Sequence, residues 1–272
     1  EVGKRQTVAA GEELFASGSP GDQLFIVLEG TVQILMPSQD GDVFVERFHR
    51  GDMLGEVTVL DDQPRTATGR AASPSTLLVI QRDDFHAFLE RFPSEEVDRT
   101  GEIPEAYVQE LRDMGAFGIK IPKEYGGLGL SQLSYVRAME MVTSKDGSLV
   151  ALLSASQSIG VPQPLKLFGT EEQKRKYFPR LARGAISAFA LTEVDAGSDP
   201  ANMKTAATPT EDGKHFILNG QKLWCTNGTR ADLYVVMART PDAIVHGKPR
   251  KQITAFIVEA KWPGVEIVHR CR

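Results

Sequence analysis

Cysteine is nearly absent. Cys225 and Cys271 are the only two in 272 residues. They form neither a disulfide framework nor a metal-ligand spacing, and this favours a reducing, cytoplasmic setting. Long apolar runs are missing as well. None approaches the roughly 20 residues that a membrane helix needs. The opening Glu1-Val2-Gly3-Lys4-Arg5 lacks the apolar stretch of a secretory signal. There is no excess of basic residues: the formal net charge is -5, so no overall field selects nucleic acid. The first residue is not Met, and Val268-His269-Arg270-Cys271-Arg272 brings no evident end to a fold. The chain is therefore read as incomplete at both ends.

What is present is ordinary for a globular chain: 41% hydrophobic and 25% charged residues. The length suits two or three domains. Leu24-Phe25-Ile26-Val27-Leu28 and Leu77-Leu78-Val79-Ile80 read as buried strands. Val32 and Ile34 alternate with polar neighbours, and Asp40-Gly41 signals a hairpin. Asp83 and Asp84 open a short helix. The polar, breaker-rich stretch 93–101 reads as a linker. Helical spacing follows: Tyr107, Leu111 and Met114 share a face that Gly115 ends, and further helices cover 131–143 and 147–158. Thr170-Glu171-Glu172-Gln173 begins another with a hydroxyl cap. From Ala188 the pattern returns to strands, with a hairpin expected at 216–222 and buried strands at 233–238 and 253–258.

Gly51-Asp52-Met53-Leu54-Gly55-Glu56-Val57 and Pro64-Arg65-Thr66-Ala67 bring a turn, a carboxylate and a guanidinium together. Glu56 can accept from a ribose hydroxyl, amides after Gly55 can face an anion, and the fork of Arg65 can grip phosphate oxygens. A plain Glu56–Arg65 ion pair closing a loop is the competing reading. With Gly11-Glu12-Glu13-Leu14-Phe15, Gly18-Ser19-Pro20-Gly21-Asp22 and Leu28-Glu29-Gly30, these stretches make residues 11–92 resemble a cyclic-nucleotide-binding domain. The resemblance implies a pocket of Gly55, Glu56, Val57, Arg65 and Thr66 for cAMP or cGMP.

Four further stretches carry a second likeness: Pro122-Lys123-Glu124-Tyr125-Gly126-Gly127, Phe168-Gly169-Thr170-Glu171-Glu172-Gln173, Leu191-Thr192-Glu193-Val194-Asp195-Ala196-Gly197-Ser198-Asp199 and Leu218-Asn219-Gly220-Gln221-Lys222-Leu223-Trp224-Cys225-Thr226-Asn227. In this order they resemble the N-terminal and middle domains of acyl-CoA dehydrogenases. A flavin ring needs an apolar wall and a few polar groups at its edge. Trp224 offers the wall, and Thr192 and Thr226 offer hydroxyls. Alone, Trp224 could equally be a core aromatic and Thr192 a strand residue. The resemblance implies that Phe189, Leu191, Thr192, Trp224 and Thr226 line FAD, with Gly197 and Ser198 where FAD meets the acyl-CoA substrate. It also implies that the catalytic carboxylate base belongs to a C-terminal domain not found in this sequence, and Glu193 is not assigned that role.

The expected fold is multidomain α+β. An antiparallel β-roll of the cyclic-nucleotide-binding type covers 1–92, and a linker covers 93–101. An α-helical domain covers 102–183, and a β-barrel-like or antiparallel β domain covers 184–272. The expected function is FAD-dependent α,β-dehydrogenation of an acyl-CoA under a cyclic-nucleotide-sensing domain. The alternative is a nucleotide-binding module on a non-catalytic scaffold. An electron-transfer flavoprotein is the expected electron acceptor and a homo-oligomer the expected full-length state. No metal, nucleic acid or membrane span is expected.

Overall fold

The computed structural model describes residues 3–38, 41–55 and 63–270. It divides into two compact units, residues 1–150 and 151–272.

The first unit opens with β1 (Lys4–Val8), β2 (Glu13–Phe15), β3 (Gln23–Glu29), β4 (Thr31–Ser38), β5 (Gly41–His49), β6 (Met53–Leu54), β7 (Thr68–Ala71) and β8 (Ser75–Gln81). They form two four-stranded sheets, β1-β8-β3-β6 and β2-β7-β4-β5, with antiparallel pairings throughout. The apolar run Leu24–Leu28 is buried on both faces, as expected of a central strand. Val8, Phe25, Val27, Leu54, Leu77 and Val79 meet Val32 and Ala71 in one core. Each such side chain contributes roughly 1.5–3 kcal/mol on burial.

Helices follow: α1 (Arg82–Arg91), α2 (Ser94–Thr100), α3 (Glu105–Asp113) and α4 (Gln132–Thr143). The stretch 93–101, read from its polarity as a linker, therefore holds a helix. Glu95 and Glu96 suit its first turn, and Val97 alone is buried. One apolar residue is too few to show a helical period. The junction is packed. Tyr107 meets Phe92 and Phe88 edge-on, with centroids 5.3 and 6.1 Å away. Its hydroxyl donates to Arg91 O, and Arg91 grips Glu110 at 2.9 and 3.3 Å. Ser131 caps α4 by accepting from Ser134 N–H at 3.1 Å. The start of α4 also docks on the roll: Ser131 N–H donates to Gly51 O at 2.8 Å, and Met53 N–H donates to Ser134 Oγ at 3.0 Å. Nearby, Lys123 Nζ donates to Leu28 O at 2.6 Å.

Helix α5 (Gly147–Ser154) carries the chain into the second unit and runs into a π-turn at Ala155–Ile159. Then come α6 (Pro162–Phe168), α7 (Glu171–Ala182), β9 (Ser187–Ala190), β10 (Ala206–Pro209), β11 (Phe216–Asn219), β12 (Leu233–Val245) and β13 (Lys248–Glu259). Helix α7 opens with a capping box between Thr170 and Gln173, and Arg180 ties it to Glu259 of β13 at 2.7 and 3.0 Å. The sheet runs β11-β10-β12-β13, with β9 also on β12. It is mixed, because β9 and β10 both lie parallel to β12. The hairpin expected at 216–222 does not form. Strand β11 folds back on β10 instead, and the chain leaves the sheet at Gly220. A side chain there would lie 2.3 Å from Thr205 Oγ1. Among the described residues no helix is long and apolar enough to cross a membrane.

Candidate functional sites

In the roll, Arg65 is folded inward and only 4% exposed. Its Nη1 donates to Gly55 O at 3.0 Å, its Nη2 donates to Gln23 O, and its guanidinium lies 4.4 Å from the Phe15 ring centroid. The backbone holds the loop on both sides, with Gly18 N–H donating to Arg65 O and Arg65 N–H donating to Ser19 O. Gly55 adopts φ +84°, and a Cβ there would lie 2.4 Å from Nη1. Only glycine fits both demands. Thr66 is exposed. The structure therefore joins Gly55 to Arg65, while Glu56 and Val57 lie outside the described residues. A cleft lined by Gly18, Pro20, Asp22, Gln63, Pro64 and Arg82 opens next to this loop.

In the second unit, the Thr-Glu and Trp-Cys-Thr stretches run together. Leu223 N–H donates to Thr192 O at 3.0 Å. Lys222 Nζ reaches Leu191 O at 2.9 Å and Glu193 Oε1 at 2.7 Å, and Cys225 Sγ donates to Phe189 O at 3.3 Å. The carbonyls of Phe189 and Leu191 thus hold the protein's own groups. Burial pushes the Cys225 thiol pKa up. Trp224 is 71% exposed and sits in left-handed backbone at φ 56°. Such a conformation costs a bulky residue of order 1–3 kcal/mol, a strain that clusters at functional sites. Thr226, Gly197 and Ser198 are exposed and Thr192 is half-buried. Gly197 faces the Thr192 methyl group, since a Cβ on it would lie 3.9 Å away.

Glu193 is buried. It accepts from Lys222 and from the backbone N–H groups of Lys204 at 2.6 Å and Thr205 at 3.0 Å. Burial alone would raise its pKa, but the bonds from Lys222, Thr205 and Lys204 outweigh it and hold the carboxyl at about 2. These bonds make it a structural anchor between the two segments. Sequence reasoning missed its partner, Lys222, although that residue lies two positions before Trp224. It also missed Asn227 at φ 67°, whose Nδ2 donates to Leu152 O at 2.9 Å and Ser187 O at 3.4 Å. An Asn three residues after a tryptophan carries no period to betray it. Ser187 in turn bonds the π-turn through Ser156 O at 2.7 Å.

Residues 5–92 match the family model of the cyclic nucleotide-binding domain. Residues 80–185 match that of the acyl-CoA dehydrogenase N-terminal domain, and residues 188–272 that of its middle domain. The overlap at 80–92 falls on α1, so one helix serves both patterns. The chain is 48% identical over 234 residues to the probable acyl-CoA dehydrogenase FadE10 of Mycobacterium tuberculosis, covering 86% of this chain and 34% of that protein. Residues 80–272 number only 193, so that match runs at least 41 residues into the roll. Among solved structures, the butyryl-CoA dehydrogenase of Megasphaera elsdenii is similar at TM-score 0.58 and 37% identity, over 66% of this chain and 47% of its own. An acyl-CoA dehydrogenase from Bacillus anthracis complexed with FAD is similar at 0.56 and 36%, over 70% and 31%. The chain spans about a third of the length of the curated relative.

Proposed function

The chain belongs to the acyl-CoA dehydrogenase family, with a cyclic nucleotide-binding domain ahead of that family's N-terminal and middle domains, and from this premise we propose that it forms the nucleotide-sensing and flavin-holding part of an FAD-dependent enzyme that α,β-dehydrogenates an acyl-CoA. One observation carries the flavin reading. The Leu223–Thr192 hydrogen bond brings the two expected wall segments together, with an aromatic ring held outward in left-handed backbone. A large exposed indole kept in a costly conformation fits a flat, apolar partner.

Trp224 would form the wall, and backbone groups of Phe189 and Leu191 would complete the polar edge. Thr192 and Thr226 would supply hydroxyls to the polar edge of FAD. The turn at Gly197 and Ser198 would meet a phosphate of FAD and the acyl-CoA. Bound FAD supplies the acceptor for the hydride leaving the substrate β-carbon. The chain's own residues bind, orient and shield. Glu193, ionised and bonded to Lys222, holds the wall segments and takes no proton. No residue of this chain is assigned as the base, and residues 1–272 by themselves should be inactive toward acyl-CoA.

In the roll, Gly55, Glu56 and Val57 would face the ribose of cAMP or cGMP, with Arg65 on the cyclic phosphate and Thr66 beside it. An electron-transfer flavoprotein would take the electrons from a homo-oligomeric full-length enzyme. The scarcity of cysteine is in keeping with a cytoplasmic setting. The test is direct. Purified chain should carry or take up FAD with a flavin absorption spectrum and should fail to reduce an electron acceptor with any acyl-CoA. A colourless protein that ignores added FAD sinks the flavin reading, and turnover by residues 1–272 sinks the assignment of the base.

A further inference from the structure

Arg65 bonds the first residue of β3 and the residue after β6, and each of these strands lies beside an element tied to a helix. Gln23, which accepts from Nη2, pairs with Gln81 next to α1. Gly55, which accepts from Nη1, directly follows β6. Strand β6 has only two residues, and pairs with β3 through Leu54–Phe25 and Met53–Ile26. On its other side the Met53 N–H goes to Ser134 Oγ of α4 at 3.0 Å, with both residues 3% exposed. Two residues earlier, Gly51 O accepts from Ser131 N–H at 2.8 Å. The backbones touch here: Gly51 has φ +92°, and a Cβ on it would lie 2.6 Å from Gly129 O. The N-terminus of α4 is therefore bonded to the same short segment that ends at the arginine.

A guanidinium that is 4% exposed cannot meet a ligand from solvent unless it or the turn around it moves. The cleft beside it is lined by Gln63, Pro64 and Arg82 but not by Arg65. Turning the fork outward draws Nη1 away from Gly55 O. Gly55 lies in left-handed backbone, which glycine enters at little cost. The next groups along the chain are Met53 N–H and Gly51 O, and both are held by α4.

Resting on the reading of Arg65 as the phosphate ligand, we propose that the docked N-terminus of α4 holds the nucleotide pocket in its ligand-free form, and that a cyclic nucleotide loosens this docking. Coupling of this kind is reciprocal. Whatever weakens the docking must tighten the binding of nucleotide.

The experiment uses the full chain with cAMP and cGMP, titration calorimetry and amide hydrogen exchange. Saturating nucleotide should speed exchange at Met53 and at Ser131–Ser134. Ser134→Ala should bind about threefold to tenfold tighter, the worth of one buried hydrogen bond. Ser144→Ala, at the far end of α4, should bind as wild type does. Wild-type exchange decides the matter if Ser134→Ala does not fold. No heat with either nucleotide overturns the pocket reading and this proposal with it. Binding with unchanged exchange at these amides, and with Ser134→Ala at wild-type affinity, overturns this proposal alone.

Discussion

Glu193 and Trp224 belong to two segments joined by the Leu223–Thr192 hydrogen bond, yet they answer to different physics. Glu193 has an ordinary carboxyl pKa near 4.5 when unfolded and about 2 when folded. The difference corresponds to roughly 3 kcal/mol of stability. Because the folded value is the lower one, that stability is fully present above pH 4.5. It is lost as pH falls from there toward 2. Glu193→Gln should therefore flatten the acid limb of a stability-versus-pH curve measured by urea unfolding. Lys222→Met should cost about 3–5 kcal/mol by leaving a buried carboxylate without its cation, and the pair Glu193→Gln with Lys222→Met should recover much of that loss. Trp224 behaves in the opposite way. At 71% exposure and φ 56° it adds little to folding. Trp224→Gly should leave the unfolding free energy within about 0.5 kcal/mol of wild type or raise it, while flavin retention falls by tenfold or more. A drop in stability with unchanged flavin content would make the indole a packing residue.

At the scale of elements, α7 shows how far a local signal reaches. Thr170 accepts from Gln173 N–H at 3.2 Å, and Gln173 Oε1 accepts from Thr170 N–H at 2.9 Å. Thr170→Ala should cost about 1 kcal/mol in chemical denaturation, by removing one half of that box. A hydroxyl three residues before a Gln is visible in sequence, and so are the start of α4 at Ser131 and the central strand at Leu24–Leu28. Other elements depend on contacts that no local pattern records. Helix α2 buries only Val97, so its sequence reads as polar connector. Strand β11 matched a hairpin template, but its partner lies earlier, at Ala206–Pro209. The π-turn at Ala155–Ile159 looks in sequence like a continuation of α5. It is secured from outside by Ser187, 31 residues on. The candidate sites divide in the same way. Trp224 and Thr192 could be named from motifs. The inward fold of Arg65 onto Gly55 and Gln23 could not, because carbonyls from distant strands carry no sequence mark.

At the scale of the whole chain, the two proposed ligands fall on separate compact units, residues 1–150 and 151–272. That separation is a strong test, because a ligand that binds only the folded form stabilises by about 2.7 kcal/mol at one hundred times its Kd. cAMP or cGMP should therefore protect amides of the roll around Gly55 and Arg65, apart from the α4 docking amides already singled out. FAD should protect the segment from Phe189 to Thr226. Arg65→Ala should abolish the first effect and keep the second, and Trp224→Ala should do the reverse. The junction supports treating both ligands as belonging to one working chain. Helix α1 lies in both family patterns, and Phe88, Phe92 and Tyr107 pack it onto α3. The match to FadE10 crosses the same point. Tyr107→Ala should loosen that junction by about 1–2 kcal/mol, through the lost packing of a half-buried ring. The roll and the helices after it should then unfold in separate steps, whereas the wild-type first unit should unfold in one. If the wild-type first unit already melts in two steps, α1 does not bind the roll and the helices into one body.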